Sequence, residues 1–340
     1  MGHRASYVLI EHGATHIYYA HWGARSVPAQ LLAGPDRTAA YLRTLRTHPN
    51  LLDTARAEGA LLLDADKRRV LFWGGEDIAM FPYLRRVLLP ALRDLWPGWT
   101  IDWTTFGVAD IARHLGIALS HVLSGSFAED FSYPIDGDGL RETNPEYIDT
   151  LITIKDADGR VDDYLFDYKF APSAGPDLLA LCRAKTPDWL PSEQDGIVAG
   201  AYLDVAARTM WIWQDEVLDP RYLEDLARRW DGWHVRGHVE GVVRQAELSG
   251  RTAANIAISN AAAVQQLVAE LTDDLNDWFD PGRLLPLLTS NPPSGTEHID
   301  VEPGFLTVDT PTQPPEERRQ ILQQLFHAAL SAEEQARPTS

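Results

Sequence analysis

Leu92-Arg93-Asp94-Leu95-Trp96-Pro97-Gly98-Trp99 and Leu226-Ala227-Arg228-Arg229-Trp230-Asp231-Gly232-Trp233 are one phrase written twice. In the first, Leu84, Leu88, Leu92 and Leu95 recur at helical spacing, and Trp-Pro-Gly-Trp stops that helix and turns the chain into the strand Thr100 to Trp103. The match extends in both directions. Downstream, Gly107, Val108 and Gly116 return as Gly241, Val242 and Gly250 at the same offset. Upstream, Tyr83-Leu84 returns as Tyr222-Leu223, and Leu63-Asp64, Arg68, Trp73 and Glu76 return as Leu203-Asp204, Arg208, Trp213 and Glu216. Further back, Gly59-Ala60 becomes Gly200-Ala201, and Gly34-Pro35-Asp36 becomes Gly175-Pro176-Asp177. The offset shortens in three small steps, always in one direction, as a tandem duplication followed by a few deletions would leave it.

Each copy reads as ββαββαβα. A hairpin opens it: Tyr7 to Ile10, the turn His12-Gly13 and Ile17 to Ala20 in the first; Ile148 to Ile154, the turn Asp156 to Gly159 and Tyr164 to Phe170 in the second. Helices start at Asp36 and Asp177, where Pro follows Gly and Asp caps. A second hairpin follows, Ala60 to Leu63 with Val70 to Trp73, and Ile197 to Leu203 with Met210 to Trp213. The expectation is an α+β fold with mostly antiparallel strands: a first unit over 1–118, a joint over 119–146 and a second unit over 147–252. A long helix, part of 253–290, then docks across the units through Val264, Leu267, Val268, Leu271, Leu275 and Trp278, and 291–340 holds a Pro-rich linker and a C-terminal helix.

Composition limits the function. With 45% hydrophobic residues among 340, the chain can bury a core and is not largely disordered. A net charge of -19 repels phosphate backbones, which disfavours nonspecific nucleic-acid binding. The single Cys182 can form no internal disulfide and no cysteine-based metal cluster, and beside Leu179 and Leu181 it reads as a small core residue. No run reaches the ~18 apolar residues that span a bilayer, and Met1 to Tyr7 lacks the apolar core of a secretory signal, so the cytoplasm is the expected location.

The sharpest chemical candidate lies in the first hairpin of the second copy. Asp149 begins one strand and Asp167-Tyr168-Lys169 lies on the returning one, where alternation puts Asp167 and Lys169 on one face. Two carboxylates there would bind Mg²⁺, and the lysine would stabilise charge on a transferring phosphate. Pro145-Glu146-Tyr147-Ile148-Asp149 followed by Asp167-Tyr168-Lys169 resembles the metal-dependent PD-(D/E)xK nuclease superfamily. The resemblance implies Asp149 and Asp167 as metal ligands and Lys169 as the catalytic lysine of a phosphodiester hydrolase. His12, His16 and His21 alternate to opposite faces and do not converge, and Asp136-Gly137-Asp138-Gly139 lacks the glutamate that closes a calcium loop.

The leading expectation is a non-enzymatic binding protein without cofactor. In it an acidic, aromatic-rich surface or cleft between two pseudo-symmetric units captures a protein partner, a basic one by charge complementarity, in the manner of an immunity protein or antitoxin. The residues expected to carry binding are Trp73, Glu76 and Asp77 in the first copy and Trp213, Asp215 and Glu216 in the second. Most of the tryptophans are expected in the core, and one that proves exposed would mark the binding face.

Overall fold

His12 and Gly13 both take positive φ, 54° and 74°, as a two-residue hairpin turn of the right twist demands. The carboxylate of Asp66 accepts both of their N–H groups at 2.8 Å. This turn joins β1 (Ala5–Glu11) to β2 (Ala14–Ala20) and sets Glu11 opposite Ala14. The computed structural model describes residues 3–124, 150–166, 169–185, 197–215, 217–250, 260–272 and 313–327. It divides into two compact units: Met1–Ile78 with Val87–Ser124 and Val264–Ser340, and Ala79–Arg86 with Gly125–Ala263.

In the first unit the chain continues through α1 (Gly23–Leu31), α2 (Gly34–Leu42), the two-residue β3 (Arg46–Thr47), β4 (Gly59–Asp64) and β5 (Arg69–Trp73). After α3 (Glu76–Met80) and α4 (Pro82–Leu95) come β6 (Thr100–Trp103) and α5 (Val108–Leu115). The sheet order is β3-β2-β1-β4-β5-β6. Hairpin partners run antiparallel, whereas β1 with β4 and β5 with β6 run parallel, because a helical crossover returns the chain in its original direction. The sheet is therefore mixed. Its core holds Val8, Leu61, Leu62, Phe72, Leu88 and Trp96, all without solvent exposure.

The second unit contains β7 (Thr150–Lys155), β8 (Val161–Phe166), a 3-10 turn (Ala171–Ala174), α6 (Asp177–Ala184), β9 (Ala199–Asp204) and β10 (Thr209–Gln214). There follow α7 (Pro220–Arg229), β11 (His234–Gly237) and α8 (Gly241–Leu248). Helix α7 starts at a capped end, with Pro220 in the first turn and the Asp219 carboxylate accepting the Arg221 N–H at 2.8 Å. The order β8-β7-β9-β10-β11 repeats β2-β1-β4-β5-β6 with the same sense at every pairing. The fold is α+β.

The agreement reaches single bonds. Trp96 Nε1 donates to the Leu31 carbonyl and Trp230 Nε1 to the Pro172 carbonyl, each at 2.8 Å. Trp96 stands edge-on to Trp99 and Trp230 to Trp233, with centroids 5.2 and 4.9 Å apart. Arg68 and Arg208 both adopt φ 50° in the hairpin turn, where Asp64 and Asp204 accept the N–H of Lys67 and Ala207 at 2.9 Å.

The first unit also has elements that hydrophobic patterning passes over. Helix α1 is buried except at Arg25 and contains Gly23 and Pro28, so it lacks the polar face by which a helix is read from sequence. Beyond the second sheet, α9 (Asn260–Thr272) buries Val264, Leu267 and Leu271, while Leu275 and Trp278 lie outside the described residues. In α10 (Pro315–Leu325) the guanidinium of Arg318, 2% exposed, donates to the carbonyls of Leu271 and Gln313 at 2.6 Å. No helix among the described residues is long and apolar enough to cross a membrane.

Candidate functional site

Strand β8 is described over Val161–Phe166, and Lys169 and Phe170, which the alternation placed on it, lie in a turn leading into the 3-10 turn at Ala171–Ala174. Lys169 Nζ is 5.4 Å from the centroid of the Phe170 ring, and strand alternation no longer sets its direction. Asp149 and Asp167 lie outside the described residues, as does Glu216. Among the described residues no group of three or more His, Cys, Asp or Glu is placed to hold a metal.

Trp73 and Trp213 are core residues, 6% and 2% exposed. Glu76 is exposed at the start of α3, 4.0 Å from Arg25, and Asp77 accepts from the Gln266 amide at 3.4 Å. Asp215 is half-buried, and its N–H donates to the Val198 carbonyl at 2.6 Å. Gly74 and Gly75 do not open a space for a ligand. A Cβ on Gly74 would meet the Ala24 carbonyl at 2.5 Å, one on Gly75 the Pro28 ring at 2.9 Å, so α1 fills that room. Cys182 is fully buried.

Because the two sheets share register, positions where they differ in chemistry stand out. Leu71 on β5 faces Asp102 on β6; the matching pair on β10 and β11 is Trp211 and Arg236. Trp211 is half-buried while its neighbours Met210 and Ile212 are buried. The Arg236 guanidinium lies 5.3 Å from the Trp211 ring centroid, and that of Arg244, from α8, lies at 6.0 Å. Arg244 is held by Glu247 at 2.9 Å. The indole thus carries two cations, an arrangement the ring quadrupole favours.

Below this surface is a buried polar group. His238 follows β11, its N–H bonded to the Ile212 carbonyl at 2.9 Å and its ring 6.3 Å from that of Trp211. Its Nδ1 lies 3.4 Å from Glu240 Oε2, while its side chain is only 4% exposed. Burial holds the imidazole below its ordinary value, against the pull of the Glu240 carboxylate. Glu240 is drawn down to about 2, first by the imidazole and also by the Val239 N–H. The neutral imidazole is the main state near pH 7, because desolvation outweighs the pull of one half-exposed carboxylate.

Arg85 completes the group. It donates to the carbonyls of Val239 and Ala79 and faces the charges of Asp215 and Glu240, which oppose the desolvation that lowers its pKa to about 10. Gly241 is required beside it: its φ is 61°, and a Cβ there would stand 2.6 Å from Pro82.

The result is a rigid surface with an aromatic centre, two arginines, and two carboxylates, Glu240 and Glu247, with more than half of each side chain in solvent. The His238 imidazole lies beneath it, almost out of contact with solvent. None of Trp211, Arg236, His238, Glu240, Arg244 and Arg85 is marked out by periodicity, capping or a motif in the sequence. The signal the sequence does carry is the difference at matching positions of the two sheets, Leu71 against Trp211 and Asp102 against Arg236. No family model, curated protein or solved structure matches the chain.

Proposed function

We propose that the chain is a non-enzymatic binding protein that docks a protein partner on the Trp211 surface of its second unit. The carrying observation is the half-exposed Trp211, stacked with Arg236 and Arg244, at a register position where the first sheet has Leu71 beside Asp102. Tryptophan and arginine are among the side chains that most often anchor protein interfaces, and a tryptophan buries large area at small conformational cost. The clasp of Arg85 and the buried His238 hold the loop that displays Glu240, so little ordering is left to the moment of binding.

The partner is a protein of net basic charge. A chain at -19 attracts it from a distance, Glu240 and Glu247 receive its cations, and Trp211 fills its apolar recess. An acidic immunity protein or antitoxin facing a basic toxin is the functional class that fits. The test compares the proteins captured by the wild type and by Trp211→Ala.

A further inference from the structure

The first unit contains a cleft separate from the Trp211 surface. It lies between the segment 48–56 and the segment 117–122, and its volume is about 500 Å³. Its floor is apolar: Leu51, Leu52 and Val122 are buried, and Ile117 closes one side. The rim carries His48, Asp53, Arg56 and His121.

The cleft is built from fixed backbone. Thr54 N–H donates to the Val122 carbonyl at 2.7 Å, Ala55 N–H to Ser124 Oγ at 2.9 Å, and Leu52 N–H to Ser6 Oγ at 2.9 Å. The Asp53 carboxylate is engaged by the N–H groups of Ala55 and Arg56 at 3.1 Å. His48 donates from Nδ1 to the Asn50 carbonyl at 2.5 Å, which fixes its ring. The Arg56 guanidinium, by contrast, is only loosely held, 3.9 Å from Asp53 with 68% of its side chain in solvent.

We infer that this cleft binds an amphipathic monocarboxylate: an apolar body about the size of an aromatic ring on the Leu51, Leu52 and Val122 floor, with its single carboxylate on Arg56. Clefts of this volume enclose small ligands with a mostly apolar lining and few polar groups. A planar carboxylate matches the guanidinium fork. A phosphate dianion does not suit the rim, because Asp53 stands beside Arg56 and the whole chain is negative.

The test is an NMR titration of the full chain with 3-phenylpropionate, its methyl ester and 3-phenylpropyl phosphate, following the methyl signals of Leu51, Leu52 and Val122. The proposal expects saturable shifts confined to these methyls for the carboxylate, and binding weaker by about tenfold or more for the ester, for the phosphate and for Arg56→Gln. Arg319→Gln, an exposed arginine on α10 paired with Glu316, leaves the affinity unchanged. Absence of saturable binding by the carboxylate, equal binding of carboxylate and ester, shifts centred elsewhere, or full affinity in Arg56→Gln each overturns it. Arg56 is exposed, so loss of folding does not confuse the result.

Discussion

Gln245 Oε1 accepts the indole N–H of Trp213 at 2.7 Å, inside the second unit where neither side chain meets water. The other end of the amide, Nε2, reaches the carbonyls of Leu151 and Ala201 at 3.0 Å and the Thr153 hydroxyl at 2.8 Å. Thr153 in turn donates to Asp163 at 2.7 Å. One side chain thereby ties α8 to three strands. Gly200 is part of the arrangement, because a Cβ there would collide with both Gln245 and Trp213.

Replacing Gln245 by Leu keeps its bulk and leaves the buried Trp213 N–H without an acceptor. The expected loss is about 1–3 kcal/mol, the cost of one unsatisfied buried group. Urea unfolding followed by tryptophan fluorescence measures it. Stability at or above wild type would show that the amide contributes nothing net.

The two Trp-x-Gly-Trp turns predict matched energetics. Trp96→Phe and Trp230→Phe each remove one indole N–H bonded to a buried carbonyl at 2.8 Å and keep most of the apolar volume. Each is expected to cost about 1–3 kcal/mol. The two sites share no bonding partner, so the double variant should lose the sum of the two. Unequal costs, with one substitution neutral, would contradict the equivalence of the two turns.

Acid sensitivity follows from His238 and Glu240. Burial depresses the folded value of His238 below the ordinary 6.5, so as pH falls the unfolded chain takes up this proton first. Stability from this residue is complete above about 6.5 and declines below it. Glu240 is held at about 2 against an ordinary 4.5, so its contribution is present above 4.5 and is lost as pH falls toward 2. Urea midpoints across pH should decline in both windows. His238→Asn should flatten the upper window and Glu240→Gln the lower, and unchanged slopes would contradict the assignment.

A thermal-shift titration with Mg²⁺ separates binding protein from nuclease. A divalent ion bound only to the folded chain adds about 2.7 kcal/mol at a hundredfold excess over Kd. The binding reading expects no Mg²⁺-dependent shift in wild type or in Asp167→Ala. A shift in wild type that Asp167→Ala abolishes would favour Asp149, Asp167 and Lys169 as a metal-dependent hydrolase.

Much of the fold was legible because turns and strand alternation are local. His12-Gly13 and the two Trp-x-Gly-Trp turns specify their conformations through φ preferences that lie in the sequence itself. Helix α1 was not, since burial on nearly all sides erases its periodicity. Lys169 and Phe170 were misplaced because the aromatic alternation runs on to Phe170, whereas the chain is already in a turn at these two residues, ahead of the 3-10 turn that contains Pro172. The parallel pairings escaped notice for a related reason: hairpins are encoded by their turns, whereas the pairing of β1 with β4 depends on the crossover between them. At the site, the core role of most tryptophans could be read from their bulk. The Arg85 clasp could not, because its acceptor, the Val239 carbonyl, is remote in sequence.

The most direct test of the central claim is affinity capture with wild type and Trp211→Ala under identical conditions, quantified by mass spectrometry, after equal melting temperatures have shown that both fold. The account predicts a basic protein enriched by the wild type and lost on substitution of Trp211, with Arg236→Ala, which removes the cation from the Trp211 ring, weakening capture and Arg160→Ala, an exposed arginine paired with Asp162, keeping the partner. Capture profiles that are the same for wild type and Trp211→Ala would contradict it.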